Sequence, residues 1–348
     1  MKTEPVMKTE PVMKTEPVMK TEPVMKTEPV MKTEPVMKTE PVMEMETIDL
    51  RENNRMLIVG GTGGTGSWFA RYFKDRGFSV TVWGPSGRVD VAEELGVAFA
   101  GDLLAEVARS DVVVLSVPIL ETARVIEEVA PKMKPGSLLM DVTSLKAGPM
   151  EAMVKWAPEG VEVLGTHPMF GPTIPTIRGQ TVILVPAAGR CDTWLSPMKE
   201  AFREGGARVE VLGPQEHDEM MAVVQALTHF AYISIASALR SLEFDVGRSR
   251  RFMSPVYEIM IDFVGRILAQ SPELYASIQE NPEARRVRET YIGECQRLSE
   301  LADDGDIAGF QEAMRAAALH FGGTDEALAR SDRLIGLWIE NREGERRG

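Results

Sequence analysis

Cysteine is almost missing from this chain of 348 residues. Cys191 and Cys295 lie far apart and match neither a metal-ligating nor a redox spacing. That excludes a disulfide framework and leaves inert thiols in a reducing, cytoplasmic setting as the expectation. Histidine is as sparse: His167, His217, His229 and His320 are the full complement. His217 and His229 do not stand at metal-ligand spacing, so no metal site is expected. Positive charge is in deficit, 39 Lys and Arg against 52 Asp and Glu, for a net charge of −13. This disfavours nucleic acid and anionic membranes as partners. No apolar run reaches the length of a membrane span by inspection. Lysine ends at Lys199, which removes one class of catalytic residue from the whole C-terminal part.

What the N-terminus has in excess is repetition. Residues 1–42 write Met-Lys-Thr-Glu-Pro-Val seven times. Each unit is charge-neutral, carries a helix-breaking Pro and offers little to bury, so residues 1–54 are expected to form a disordered tail. The plain origin is a duplicated segment or a misplaced start, with Met43 or Met45 nearer the true one; a binding tail is the alternative.

The body alternates apolar β-branched runs with helical stretches. Strands are expected at Arg55–Gly60, Phe78–Trp83, Leu95–Ala100, Asp111–Val117, Ser137–Val142, Val161–Gly165 and Thr181–Val185. Helices are expected at Ser67–Arg76, Leu103–Arg109, Glu121–Ala130 and Ala147–Trp156. This is the pattern of a Rossmann-type doubly wound α/β parallel sheet, assigned to residues 55–213. From Pro214 the pattern becomes purely helical: Gln215–Phe244, Pro255–Gln270, Pro272–Gln279, Glu283–Asp303, Ile307–His320 and Asp325–Glu340. The first of these is apolar almost all round and should lie centrally. Residues 214–340 are therefore assigned to an all-α domain, shared across a homodimer.

Between the first strand and the first helix stands Gly61-Thr62-Gly63-Gly64-Thr65-Gly66. Gly61, Gly63 and Gly66 have the G-x-G-x-x-G spacing in a strand–turn–helix context, which points to a dinucleotide on the helix N-terminus. Gly64 and Thr65 complete the turn. The second strand ends in Trp83-Gly84-Pro85-Ser86-Gly87-Arg88, without the acid that would bind a ribose. Ser86 and Arg88 suit a 2′-phosphate, so NADP is slightly favoured over NAD; the plainer alternative is that Arg88 is a solvated loop residue.

Several further motifs occur in order: Val117-Pro118, Asp141-Val142-Thr143-Ser144-Leu145-Lys146, Thr166-His167-Pro168-Met169-Phe170-Gly171-Pro172, Glu216-His217-Asp218, Gln225-Ala226-Leu227-Thr228-His229-Phe230 and Gly265-Arg266. Together they resemble the prephenate/arogenate dehydrogenase family of tyrosine biosynthesis, most nearly its archaeal members, from about Arg55 to near Phe321. The resemblance implies oxidative decarboxylation of prephenate to 4-hydroxyphenylpyruvate, with hydride transfer to NAD(P). It implies that His167 takes the substrate hydroxyl, that Ser144 orients His167 by a hydrogen bond, and that Arg266 holds a carboxylate. His229, Asp218 and Gln225 would share one helix stripe in the substrate pocket, with Asp218 lining or gating it from the partner subunit. Val117 and Pro118 would border the cofactor. The plainer readings are a capping hydroxyl for Ser144 and an ion pair with Asp262 for Arg266. Many relatives have an acid six positions after the histidine; Thr173 stands there instead, which leaves prephenate and arogenate both open. The resemblance leads us to expect neither a mutase domain before Arg55 nor a regulatory module after the helices. A β-hydroxyacid-type dehydrogenase would need a catalytic Lys in the helical part. A non-catalytic NAD(P) sensor would need neither His167 nor Arg266.

Overall fold

The structure is a computed structural model that describes residues 54–347, with side chains as far as Glu340. The expected disorder of the repeat tail lies outside the described residues. In chain order, β1 (Arg55–Val59), α1 (Gly64–Lys74), β2 (Ser79–Trp83), α2 (Val89–Leu95), β3 (Ala98–Phe99), α3 (Leu103–Arg109) and β4 (Val112–Leu115) come first. A 3-10 turn at Ile119–Glu121 leads to α4 (Thr122–Val129), β5 (Leu138–Asp141), α5 (Ala147–Trp156), β6 (Glu162–Pro168), β7 (Thr181–Pro186), α6 (Leu195–Glu204) and β8 (Arg208–Val211).

The eight strands form one sheet in the order β3-β2-β1-β4-β5-β6-β7-β8. β1, β4 and β5 are buried nearly throughout, which is why they read as unbroken apolar runs. Alternate residues feed two cores. One face carries Met56, Ile58, Val114, Met140 and Leu164 against the aromatic side of α1, Phe69 and Phe73. The other carries Leu57, Val113, Leu139, Val163 and Ile183 against α4 and α5.

The expected all-parallel sheet holds from β3 through β6. β7 runs antiparallel to β6, with His167 opposite Ile183, and β8 returns parallel to β7. The connection between β6 and β7 contains no helix. A parallel return needs a long crossover, so without one the chain comes back antiparallel. α2, α6 and β8 were not expected. Leu95 belongs to α2 rather than to a strand, and Gly96, at φ 62°, ends that helix.

The remaining helices are α7 (Pro214–Met221), α8 (Thr228–Ser241), α9 (Val246–Ser249), α10 (Pro255–Leu268), α11 (Pro272–Ile278), α12 (Ala284–Asp303), α13 (Ile307–Phe321) and α14 (Thr324–Arg347). α10 and α11 start on Ser254 and Ser271, whose hydroxyls cap the amides of Tyr257 and Leu274, with Pro in the first turn. The single helix expected over Gln215–Phe244 is interrupted: Ala222–Leu227 is π-helical. Two carbonyls along this stretch are held from outside the helical ladder. Thr228 Oγ1 donates to Val224 O at 3.0 Å and Gln279 Nε2 to Ala226 O at 2.9 Å.

Contrary to the reading that no run is long enough, Pro214–Ser241 has the length and mean hydropathy, 1.5 over 18 residues, to cross a membrane. That window admits polar residues which break the apolar run by eye, Gln225 and His229 among them. The helix is not a sealed core helix within one chain, since 11% of the window is buried. Large apolar residues are also exposed across the neighbouring helices, including Phe252, Val256, Phe263, Phe310, Met314 and Phe321. An apolar surface of this extent marks an interaction face.

Candidate active site

The site begins where β1 and β4 part. Gly60, at φ +82°, leaves β1 so close to β4 that a Cβ would stand 2.1 Å from Ser116 O. A Cβ on Gly66 would stand 2.3 Å from Gly60 O, and one on Gly61 2.6 Å from Val82. Gly63 caps α1 with no side-chain bond and no acid lies in the first turn. Among the described residues the amides of Gly64, Thr65 and Gly66 donate to no backbone carbonyl. Three free N–H groups at a helix N-terminus, with glycines permitting close approach, fit a pyrophosphate. Val117 and Pro118 lie at the tip of β4, and Ile119 beyond them packs on the helical cluster around Tyr275 and Ile278. Ser86 and Arg88 are exposed past β2. Arg88 is paired with Asp90 at 3.0 Å, an acid that the sequence reading had not counted.

His167 lies inside β6, one residue before its end, and is buried. It does not bond Ser144. Its Nδ1 is 2.9 Å from His217 Nε2, and His217 Nδ1 is 2.8 Å from Asp218 Oδ1. Asp218 also accepts the amides of Lys146 and Ala147, each at 2.9 Å, and so caps α5 from a distant segment. Burial alone raises the Asp218 carboxyl, but the bonds from His217 and from these amides outweigh it and hold it below its ordinary value. The ionised carboxylate accepts the proton on His217 Nδ1, and Nε2 is the ring nitrogen that faces His167. His217 Nε2 then accepts from His167 Nδ1–H, and the lone pair of His167 falls on Nε2. Burial, then the Lys146 cation and His217, push His167 well below the usual histidine value, so the ring is neutral.

Lys146 is fully buried beneath this chain. Its ammonium reaches Asp141 at 2.6 Å and the carbonyls of Thr143 and Leu145 at 2.8 and 3.0 Å. Its stem lies on Gly165, where a Cβ would come within 2.8 Å of both Lys146 Cδ and Met150 Sδ. The segment after His167 crosses the glycine turn. Pro172 Cγ would be 3.2 Å from a Cβ on Gly64, and Trp68 Nε1 donates to Ile174 O at 3.0 Å. Phe170 packs on Trp68 at 5.0 Å between rings. The histidine segment is thus tied to the first helix of the dinucleotide turn. Thr173 is exposed on this crossing.

On the helical side, the His229 ring meets Tyr275 edge-on at 4.6 Å. Its Nδ1 is buried without a partner, as is Gln225 Oε1. Burial lowers His229 to about 4, so it is neutral. Burial raises the Tyr275 hydroxyl, while the nearby Arg266 cation and a bond with Gln270 oppose the rise. Tyr275 is therefore close to both His229 and Arg266. Arg266 is exposed within one chain. Its ion pair with Asp262 is not formed, because Asp262 takes Arg250 at 3.0 Å.

Two expected placements differ for clear reasons. Ser144 is half-buried and neither orients His167 nor caps α5; His217 and Asp218 take those positions. Asp218 and His229 do not share a stripe, because the π-helical turn between them changes the phase of the helix. Asp218 turns to α5 of its own chain and His229 to Tyr275. His217, Lys146 and Tyr275 were missed; the adjacency of His217 and Asp218 was the one available signal.

Family models match along the chain in the same order. Residues 69–211 match the prephenate dehydrogenase nucleotide-binding domain, and residues 213–316 the prephenate dehydrogenase dimerization domain. A Methanocaldococcus jannaschii protein described as a probable arogenate/prephenate dehydrogenase is 45% identical over 275 residues, 78% of this chain and 61% of that relative's length. A 4-amino-4-deoxyprephenate dehydrogenase of Streptomyces pristinaespiralis is 32% identical over 264 residues, 74% of this chain and 87% of the relative. The crystal structure of prephenate dehydrogenase from Aquifex aeolicus with hydroxyphenyl propionate and NAD+ shares the fold, with TM-score 0.63 at 20% identity over 76% of this chain and 96% of that one. By two consecutive domain matches and by these relatives, the chain belongs to the prephenate dehydrogenase family.

Proposed function

We propose that this protein catalyses the oxidative decarboxylation of prephenate to 4-hydroxyphenylpyruvate in tyrosine biosynthesis. The observation that supports this best is the chain Asp218–His217–His167, which leaves a lone pair on a neutral, buried imidazole beside the dinucleotide turn. A nicotinamide dinucleotide, when bound, supplies the hydride acceptor. The amides of Gly64, Thr65 and Gly66 would hold its pyrophosphate, with Val117 and Pro118 at the edge of the site. His167 Nε2 receives the hydroxyl proton of the substrate as the hydroxyl-bearing carbon is oxidised. As the ring carboxylate leaves as carbon dioxide, its bonding electrons enter the ring and the oxygen recovers a proton as the phenol. A base held neutral by its burial keeps its lone pair free for this exchange at physiological pH. Arg266, which has no carboxylate partner among the described residues, would bind a substrate carboxylate; its planar fork suits that task. Ser144, Gln225, His229 and Thr173 would line the remaining pocket.

For the cofactor we favour NADP slightly. No acid follows Trp83 directly, and the Arg88–Asp90 pair is exposed, so a 2′-phosphate would displace a contact of little worth. The uncovered apolar face of the helical part would close against a second copy, giving a homodimer. The test is turnover of prephenate with either cofactor, followed by the absorbance of the reduced nicotinamide. Activity that falls by about 10²–10⁴ in His167→Asn, with cofactor binding kept, is expected. Near-wild-type turnover in that variant would remove His167 from the chemistry, and a strong preference for NAD would remove the NADP reading.

A further inference from the structure

We propose that Lys146 is a positioning residue for the base: its buried ammonium ties residues 141–146 shut under His167 and its backbone amide anchors Asp218, so that one residue sets both the geometry of the proton chain and a fixed positive charge beside it. The inference rests on the function proposed above and adds a residue to that same site.

Lysine is among the side chains least often fully buried, and then as a rule only when paired. Lys146 and its partner Asp141 are both completely enclosed. The ammonium bonds Asp141, the hydroxyl and carbonyl of Thr143 and the carbonyl of Leu145. The link between β5 and α5, which carries Ser144, thus closes into a ring around one cation. A buried ion pair is weak evidence for stability, because apolar residues of similar volume often serve a fold as well or better. This pair is also incompletely compensated, for Asp141 Oδ1 is buried with no partner. Stability alone does not account for a pair built in this way, whereas its place beside the base does.

Asp141 and Gly165 are register partners on β5 and β6, and His167 is the next residue on the same face of β6. Gly165 has no side chain, and the Lys146 stem fills that space. The ammonium thus enters on the face of the sheet that carries His167. Of the ion pair, it is the Lys146 cation that bears on the ring and disfavours its protonation. The other titratable groups around His167 are His217 and, behind it, Asp218, both from α7; the facing residue on β7 is Ile183. The Lys146 amide donates to Asp218 Oδ1, the oxygen that also takes His217 Nδ1–H. Side chain and main chain of one residue therefore act on the base by two routes. The main chain orients it through Asp218 and His217, and the side chain keeps a proton from resting on it. Enclosed as it is, Lys146 touches no substrate. A base held beside a fixed cation takes the hydroxyl proton and readily gives it up again to the phenol oxygen.

The experiment removes the charge in two ways. Lys146→Gln keeps a donor for Asp141 and the loop carbonyls, and the double variant Lys146→Met with Asp141→Asn removes both charges of the pair. Without the cation an imidazolium at His167 is less disfavoured, so the ring titrates at higher pH. The acid limb of kcat/KM with prephenate should therefore move up by about one pH unit or more in each variant, with cofactor affinity kept. A residue that served only the fold would lower kcat and Tm and leave the limb in place. A limb unmoved in a folded variant that binds cofactor would overturn the proposal. Nitrogen-15 spectra of the His167 ring, followed as pH is lowered, read the same shift without turnover. The ring should take its proton at higher pH in either variant than in the wild type, and an equal pH would overturn the proposal. If the wild type does not oxidise prephenate, the dehydrogenase reading fails, and the ring titration still decides the role of Lys146.

Discussion

Replacing Asp218 by asparagine changes almost no volume but should reset the protons of both histidines. Asp218 receives three bonds, from His217 Nδ1 at 2.8 Å and from the Lys146 and Ala147 amides at 2.9 Å. In Asp218→Asn, one orientation of the amide leaves its carbonyl oxygen on the Ala147 amide and sets the NH2 group at the Oδ1 position, which His217 Nδ1 and the Lys146 amide share. The NH2 group then faces His217 Nδ1, which must become an acceptor, so the His217 proton moves to Nε2. That proton points at His167 Nδ1, and the remaining His167 proton is driven to Nε2, where the base is required. Converting the orienting carboxylate of a hydrolase triad to its amide has this tautomeric effect and lowers turnover about 10⁴-fold; a loss of about 10³–10⁴ is expected here. The charge-assisted bonds lost should also cost about 1.5–3 kcal/mol of stability. Steady-state kinetics with prephenate, cofactor titration by intrinsic fluorescence and thermal denaturation separate the two effects. A folded variant that binds cofactor normally and keeps kcat within about threefold would refute the tautomer argument. Loss of cofactor affinity together with kcat would make Asp218 a structural cap instead.

Gly66→Ala should abolish dinucleotide affinity, because its Cβ would stand 2.3 Å from Gly60 O in the backbone of the turn; cofactor titration checks it, and unaltered affinity would contradict the assigned phosphate site. Arg266→Gln should mainly raise the substrate KM, and an unchanged KM would return Arg266 to a surface role. The acid limb of kcat/KM should lie below pH 6.5, since His167 is held well below that value and acts as its neutral form. Stability shifts in the same direction. His167 and His229 both titrate lower folded than unfolded, His229 at about 4. Between pH 6.5 and those values the unfolded chain binds more protons, so stability is full above pH 6.5 and falls as pH drops through this window. Urea denaturation at two pH values on either side of 6.5 reads the sign.

The dinucleotide half was legible where burial simplified the code. β1, β4 and β5 are covered on both faces and appear as unbroken apolar runs, and the Gly61–Gly66 turn announces itself by spacing. β8 was not read although Arg208-Val209-Glu210-Val211 alternates, because it is a four-residue edge strand whose apolar positions are themselves half-buried or exposed. The reversal of β7 was readable in principle. The stretch between Pro168 and Thr181 holds no helix, and a parallel crossover would have needed one. In the site, His167 was legible because it lies at the C-terminal end of a sheet strand, next to its last residue. Its true orienting partner was hidden, since His217 approaches from a segment 50 residues further on. The helical half was the harder text: periodicity over Gln215–Phe244 assumes one uniform pitch, and the π-helical turn violates it.

That violation has a consequence for how the chain tolerates changes of length. A regular helix turns about 100° per residue, so a π-helical turn behaves as one residue of slack between its two flanks. Removing a single exposed residue such as Val223 would let the segment close into a regular helix. The two flanks would then be re-indexed against each other by about a quarter turn. His229 could keep its seat on Tyr275, while Asp218 would swing away from the start of α5, or the reverse. A one-residue deletion in a surface-exposed stretch would thus uncouple the proton chain of one domain from the ligand pocket of the other, where a point substitution at the same position would pass unnoticed.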